Sequence, residues 1–255
     1  MHLALEKKVV LVTGGTKGIG RAIVRAYLKE GATVHFCSRT AKDVEAANEN
    51  LSSGEFEGRA IGVVVDVTNK DKLAAWVTSV AKENSRIDIV VANVSSLSME
   101  DTTENWQAAF QTDLMGTYHL IQTALPHLEK SRGNIVTISS VSGRDVDFTA
   151  PGPYGTMKAG LIHYTAQLAR TLAPKGVRAN TVSPGNIYIE DGVWGDIEKK
   201  APEFFKTQMA ANPFGRMGKA EEIADSVLFL SSERASFISG TNLTVDGALC
   251  TGVQF

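Results

Sequence analysis

The sequence predicts an α/β fold: a single doubly wound domain in which helices cover both faces of a parallel sheet. Three observations predict it. Short valine-rich runs alternate with stretches of helical periodicity, the first strand-to-helix junction is a glycine cluster, and no repeat, low-complexity tract or Pro/Gly/Ser linker divides the 255 residues. Strands that alternate with helices at this spacing pair in parallel through right-handed crossovers, and a sheet covered in this way buries both faces.

Residues 8–13 (KVVLVT) read as the first buried strand. Over residues 18–30, Ile19, Ile23, Ala26 and Tyr27 share one helical stripe, and Gly31 ends it as a residue free to turn left-handed. Residues 32–37 form a second strand, completing a βαβ unit with a glycine-rich first turn. The alternation then runs helix 43–51, strand 60–65, helix 71–83 and strand 87–92. One long helix is expected over 103–128, with Trp106, Phe110, Leu114, Leu120 and Leu125 as its apolar positions. Strand 134–138, helix 154–172, strand 177–182 and helix 220–230 follow. Residues 186–213, with Tyr188, Trp194, Phe204 and Phe205, come after the carboxyl end of a strand, where open α/β sheets bind ligands. A substrate lid and a structural helical excursion both fit that segment.

Composition excludes several function classes. With 43% apolar and 21% charged residues the chain has the make-up of an ordinary globular protein. A net charge of -2 with the two signs interspersed leaves no basic stripe for nucleic acid. The two cysteines, Cys37 and Cys250, form no CxxC pair, and the five histidines are scattered, so no metal site is expected. Residues 1–8 lack the layout of a signal peptide and no apolar run approaches the ~20 residues that span a bilayer, so a cytoplasmic protein without a membrane partner is expected.

The first turn reads Thr13, Gly14, Gly15, Thr16, Lys17, Gly18, Ile19, Gly20. Glycines at 14, 18 and 20 permit a tight turn and close backbone approach, while the amides of the following helix face a dinucleotide pyrophosphate. An NAD site of this kind usually has a carboxylate at the end of the second strand, but here that strand ends Cys37, Ser38, Arg39. Arg39 and Lys17 offer two cations to a 2′-phosphate instead, favouring NADP(H). Their alternative is to be solvated surface charges. Farther on, Tyr154 and Lys158 stand four apart on one helix, close enough for the ammonium to favour the phenolate and make the phenol a proton donor and acceptor.

Gly14, Gly18, Gly20, Asp66, Asn93, Ser140, Tyr154 with Lys158, and Pro184 with Gly185 together resemble the classical short-chain dehydrogenase/reductase family, 3-oxoacyl-acyl-carrier-protein reductase-like members included. The resemblance covers residues 7–247 and implies a Rossmann-type domain with a seven-strand parallel sheet. It implies Tyr154 as catalytic acid in reduction and base in oxidation, Lys158 as its activator and a ligand of the nicotinamide ribose, and Ser140 as donor to the substrate oxygen. Asp66 and Val67 would border the adenine. Asn93 would lie near the adenine ribose and support the sheet, and the backbone from Pro184 through Gly185 to Ile187 would hold the nicotinamide amide. Thr16, Lys17, Ile19, Ser38 and Arg39 complete the expected cofactor contacts. A homotetramer is implied too, with the helices at 103–128 and 154–172 and the tail at 247–255 between subunits.

Three departures stand out. The family's Asn-Asn-Ala-Gly becomes Ala92-Asn93-Val94-Ser95, placing a side chain at 95 where glycine is expected. Asp113 replaces the catalytic tetrad's asparagine, and an ionised carboxylate accepts hydrogen bonds but cannot donate them. Asp113 is expected to anchor a water joining Lys158 to solvent and to move the pH optimum upward. Ile189 stands where a threonine often touches cofactor phosphate.

The expected function is therefore reversible, NADP(H)-linked reduction of a carbonyl to a secondary alcohol. Ser142, Arg144, Asp145, Asp147 and Phe148, with Tyr188 and Trp194, suggest a polar wall with aromatic surface. Functionalised ketones, 3-oxoacyl thioesters and sugar-like polyols all fit it. A non-catalytic NADP(H)-binding regulatory protein is the competing class, motivated by the departures and opposed by the intact Ser140, Tyr154 and Lys158.

Overall fold

The computed structural model describes residues 2–52, 56–147 and 149–252. Its centre is a seven-stranded parallel sheet in the order β3-β2-β1-β4-β5-β6-β7. The strands are β1 (Val9–Thr13), β2 (Thr33–Ser38), β3 (Arg59–Val64), β4 (Ile89–Ala92), β5 (Asn134–Ile138), β6 (Arg178–Pro184) and β7 (Asn242–Val245). β1, β4 and β5 are buried along their whole length, with Thr13 of β1 and Asn134 and Thr137 of β5 buried among apolar residues. The chain winds outward from β1 in one direction through β2 and β3, then in the other from β4 onward. The carboxyl ends of β1 and β4 therefore flank the crevice where the strand order reverses.

On one face α1 (Gly18–Lys29) packs against α9 (Ala220–Ser231), joined by Val10, Val12, Ile23, Leu28, Ile223 and Val227 in one apolar cluster. Its stripe of Ile23, Val24, Tyr27 and Leu28 is fully buried, and the helix gives way at Gly31, φ +73°. The other face holds α3 (Lys70–Asn84), α5 (Gly116–Ser131) and α6 (Pro153–Leu172), whose Leu73, Val77, Leu120, Ile121 and Leu168 meet Leu11, Val90 and Ile135. α2 (Ala41–Leu51) lies beside β3 at the sheet's edge.

The helix expected over 103–128 is divided. α4 (Thr103–Ala109) leads into a π-helical turn at Phe110–Met115 before α5 begins. A π turn carries an extra residue relative to an α turn, so the stripe before it and the stripe after it are out of phase. Asp113 lies in that turn and is buried. The aromatic segment after β6 folds as two short helices, α7 (Val193–Lys200) and α8 (Pro202–Ala210). They are braced by stacking of Trp194 on Phe204, centroids 6.5 Å apart, and by the Tyr188 hydroxyl donating to Glu198 at 2.5 Å.

The turn after β1 depends on close approach. Gly14 takes φ +69°, and a Cβ on Gly20 would lie 2.0 Å from the Gly14 carbonyl oxygen and 2.6 Å from Asn93 Nδ2. Asn93 ties this turn to the end of β4, donating from Nδ2 to the carbonyls of Thr13 (3.1 Å) and Gly14 (3.3 Å). Gly20→Ala is expected to cost about 1–3 kcal/mol by overpacking against backbone that cannot retreat. A urea melt showing wild-type stability would contradict the fit described for this turn.

Candidate active site

β5 delivers Ser139 and Ser140 to the crevice, and α6 is pressed onto the turn that follows. A Cβ on Gly143 would lie 2.6 Å from the Lys158 carbonyl carbon, and one on Gly155 would lie 2.6 Å from the Ser142 carbonyl oxygen. Glycine at both positions lets the helix and the turn meet backbone to backbone. The Ser139 hydroxyl fastens them, donating to the Lys158 carbonyl at 2.8 Å. Ser139 is thereby committed to structure. Ser139 and Ser140 both border an open cavity of about 440 Å³ shared with Tyr154 and Lys158, and the Ser140 hydroxyl bonds to Ser142 rather than to the backbone of α6.

The Ser140 hydroxyl accepts from the Ser142 amide at 3.1 Å and donates to Ser142 Oγ at 3.2 Å, and Ser142 Oγ donates to Asp147 at 2.7 Å. Burial alone would raise the Asp147 pKa, but hydrogen bonds from the Thr149 and Ser142 hydroxyls and the Thr149 and Ala150 amides outweigh it and hold the group below the usual carboxylate range. Ser142, Asp147 and Thr149 form a polar wall. Trp194, Phe204, Ile197 and Val193 of the α7–α8 segment supply an apolar one. Arg144 turns away to donate to the Gly252 carbonyl and lies 3.6 Å from Asp145, so neither residue lines the cavity; Phe148 is outside the described residues.

Lys158 reaches the site from beneath. Its ammonium lies 5.7 Å from the centroid of the Tyr154 ring, 3.3 Å from the Ile138 carbonyl oxygen and 3.3 Å from Asp113 Oδ1. Both members of this ion pair have side chains only 2% exposed. Asp113 also accepts from Ser95 Oγ at 2.7 Å and from the Ser96 amide at 2.8 Å. Three donors converge on one carboxylate, an acceptor-only group that satisfies them all. Asp113, expected to anchor a water joining Lys158 to solvent, contacts Lys158 directly. Ser95 was not singled out as a site residue in the sequence. Its signal was present: the two departures, serine for glycine at 95 and aspartate for asparagine at 113, are hydrogen-bonded to one another.

Lys17, Gly18, Ile19, Gly20, Asn93, Pro184, Gly185 and Ile187 line the same cavity. Gly14, Thr16, Ser38, Arg39, Asp66 and Val67 lie outside its lining, around the carboxyl ends of β1, β2 and β3. Gly14 joins the two groups, its amide donating to the Cys37 carbonyl at 2.8 Å. Asp66 accepts from the amide and hydroxyl of Thr68, and buried Val67 packs under Gly116. A dinucleotide fits this surface because Gly18 and Gly20 present a cradle of bare backbone to it, in a turn so tight that a Cβ on Gly14, Gly18 or Gly20 would lie 2.0–3.1 Å from a neighbouring atom. Ile189 covers one end of the cradle, its Cδ1 3.1 Å from the Cβ position of Gly18. Arg39 is exposed and has no ion pair among the described residues. Lys17, expected to be free for a phosphate, is paired with Asp43 at 3.0 Å.

Residues 14–249 match the family model adh_short_C2, described as Enoyl-(Acyl carrier protein) reductase. The chain belongs to the short-chain dehydrogenase/reductase family. This short-chain dehydrogenase/reductase is 41% identical over 249 residues to isoepoxydon dehydrogenase from Penicillium expansum, with 96% of each chain covered. Its structure is similar to that of L-sorbose reductase from Gluconobacter frateurii in complex with NADPH and L-sorbose, with a TM-score of 0.90, 27% identity and coverage of 99% and 100% of the two chains. A 7α-hydroxysteroid dehydrogenase in complex with NADH and 7-oxo glycochenodeoxycholic acid aligns at a TM-score of 0.87 with 27% identity, covering 97% and 96%. The family is one of oxidoreductases that use a nicotinamide dinucleotide. Among the described residues, no helix is long and apolar enough to cross a membrane.

Because Lys158 is buried with a carboxylate as its counter-charge, Asp113→Asn is expected to lower unfolding stability by about 3 kcal/mol. Chemical denaturation would check this, and a loss under about 0.5 kcal/mol would show that the ion pair contributes little.

Proposed function

We propose that the protein is an NADP(H)-dependent carbonyl reductase that interconverts a small hydroxylated ketone and its secondary alcohol. The observation that carries this reading is the convergence of Ser140, Tyr154 and Lys158 on one cavity that continues into the glycine cradle. The nicotinamide supplies the hydride in reduction and accepts it in oxidation. Ser140 donates to the substrate oxygen, whose negative charge grows as the carbonyl carbon is reduced, and Tyr154 gives that oxygen its proton. In oxidation Tyr154 takes the proton back. Lys158, fixed by Asp113, keeps a positive charge beneath the phenol and stabilises its ionised form between the two half-cycles. The ordinary worth of positioned proton transfer, ~10²–10⁴-fold, is what Tyr154 contributes here.

Lys17 and Arg39 support NADP(H), as does the absence of a carboxylate at the end of β2. The NADPH complex of L-sorbose reductase agrees with that preference, and the NADH complex of the hydroxysteroid dehydrogenase stands against taking it from the fold alone. The polar wall of Ser142, Asp147 and Thr149 facing Trp194 and Phe204 supports a substrate with hydroxyls on one side and carbon skeleton on the other. The α7–α8 segment acts as its lid. Exposed Trp106, Phe110 and Tyr118 on the α4–α5 helices support self-association, which we assign as a homotetramer.

Oxidation of NADPH and of NADH, followed by absorbance against L-sorbose, other keto sugars, simple ketones and 3-oxoacyl thioesters, tests the activity. Turnover with NADPH that falls at least 100-fold in Tyr154→Phe while NADPH binding survives is the expected result. Undiminished turnover in Tyr154→Phe would remove the assigned mechanism, and thioester-only turnover would replace the substrate class. Sedimentation at micromolar concentration is expected to show four subunits; a monomer would remove the tetramer.

A further inference from the structure

The ion pair between Lys17 and Asp43 stands at the edge of the cofactor surface, and its placement gives it a consequence for cofactor choice. Lys17 is the exposed cation of the glycine turn and borders the cavity, with its ammonium 3.0 Å from Asp43 Oδ2. Asp43 lies in the first turn of α2, which starts three residues after β2 ends at Ser38. The intervening residues are Arg39 and Thr40. In a sheet of this winding the adenosine ribose lies at the end of the second strand, so its 2′ substituent faces the gap between the glycine turn and the start of α2. The Lys17 side chain bridges that gap. Its side chain is 60% exposed against 25% for Asp43, so the lysine is the more accessible partner to an arriving ligand.

We propose that Asp43 is a built-in competitor for the 2′-phosphate of NADP(H), and that its carboxylate sets how strongly this chain prefers NADP(H) over NAD(H). The inference rests on the dinucleotide reading above. A phosphate arriving at Lys17 must displace Asp43 from the ammonium, and it then sits beside a carboxylate of its own sign. A 2′-hydroxyl demands neither. NAD(H) leaves the Lys17–Asp43 pair intact and presents a donor to a region that already holds an acceptor. Arg39, without an ion pair among the described residues, attracts the phosphate without having to give up a partner. Asp43 does not abolish NADP(H) binding. It narrows the margin between the two cofactors that Lys17 and Arg39 would otherwise set.

The test is the dissociation constant of NADPH and of NADH, by quenching of protein fluorescence, for wild type, Asp43→Asn, Lys17→Ala and the double variant. Asp43→Asn is expected to tighten NADPH roughly three- to tenfold, the range of an exposed ion pair plus one like-charge contact, and to leave NADH within about twofold. In the Lys17→Ala background the same change is expected to gain clearly less, since no pair remains to be broken. Asp43→Ser, which keeps a polar group suited to the first turn of a helix, is expected to reproduce the shift and separates it from damage to α2. Equal changes for both cofactors, or none, would overturn the proposal. Lys17→Ala that weakens NADPH while Asp43→Asn does nothing would sink this inference alone. Lys17→Ala without effect on NADPH would sink it together with the phosphate-binding role given to Lys17.

Discussion

A buried ammonium sits at the bottom of this site, and much of the surrounding structure answers the cost of putting it there. Lys158 is 2% exposed, and a charge taken that far from water needs an opposite charge and hydrogen bonds close by. Asp113 supplies the charge and the Ile138 carbonyl a further acceptor. Asp113 is itself a buried charge, and Ser95, the Ser96 amide and Lys158 satisfy it. The π turn at Phe110–Met115 carries this carboxylate into the interior, where the turn packs against α6. The phenol of Tyr154 then shares its end of the cavity with a charge that cannot readily move away.

The sheet provides the other fixed frame. Its winding reverses between β1 and β4, and Asn93 stitches the ends of those two strands to the glycine turn. The glycine turn after β1 presents mostly backbone, because a side chain at Gly14, Gly18 or Gly20 would meet neighbouring protein atoms. The reacting end relies on the same device at Gly143 and Gly155, where helix and turn touch without intervening side chains. Main-chain contacts thus hold both ends of the cavity, while Ser142, Asp147, Thr149 and the α7–α8 segment form its walls.

Much of this was legible in the sequence, for physical reasons that also mark where legibility ended. Valine runs such as residues 9–12 and the stripe through Ile23 and Tyr27 report burial directly, so the strands and helices read from them fall within a residue or two of the structure, whereas short, half-buried β7 was not read from the residues. Ser140, Tyr154 and Lys158, singled out by their joint spacing, border one cavity because β5 and α6 deliver them to the same end of the sheet. The π turn left no trace, since a search for helical periodicity assumes an α repeat throughout. The direct contact of Asp113 with Lys158 was not foreseen, because an ion pair between residues distant in the chain has no local signature. Lys17 looked free for the same reason, because its partner Asp43 lies on another element.

The account turns on the claim that Asp113 acts on the reaction through Lys158, so steady-state alcohol oxidation by Asp113→Asn against wild type, with the NADP(H) dissociation constant measured alongside, tests it most directly. Removing the carboxylate leaves the buried ammonium without the counter-charge that fixes it. The account predicts that kcat falls in Asp113→Asn while KM and NADP(H) affinity change little. An unchanged kcat would contradict it and leave Asp113 with a structural role only.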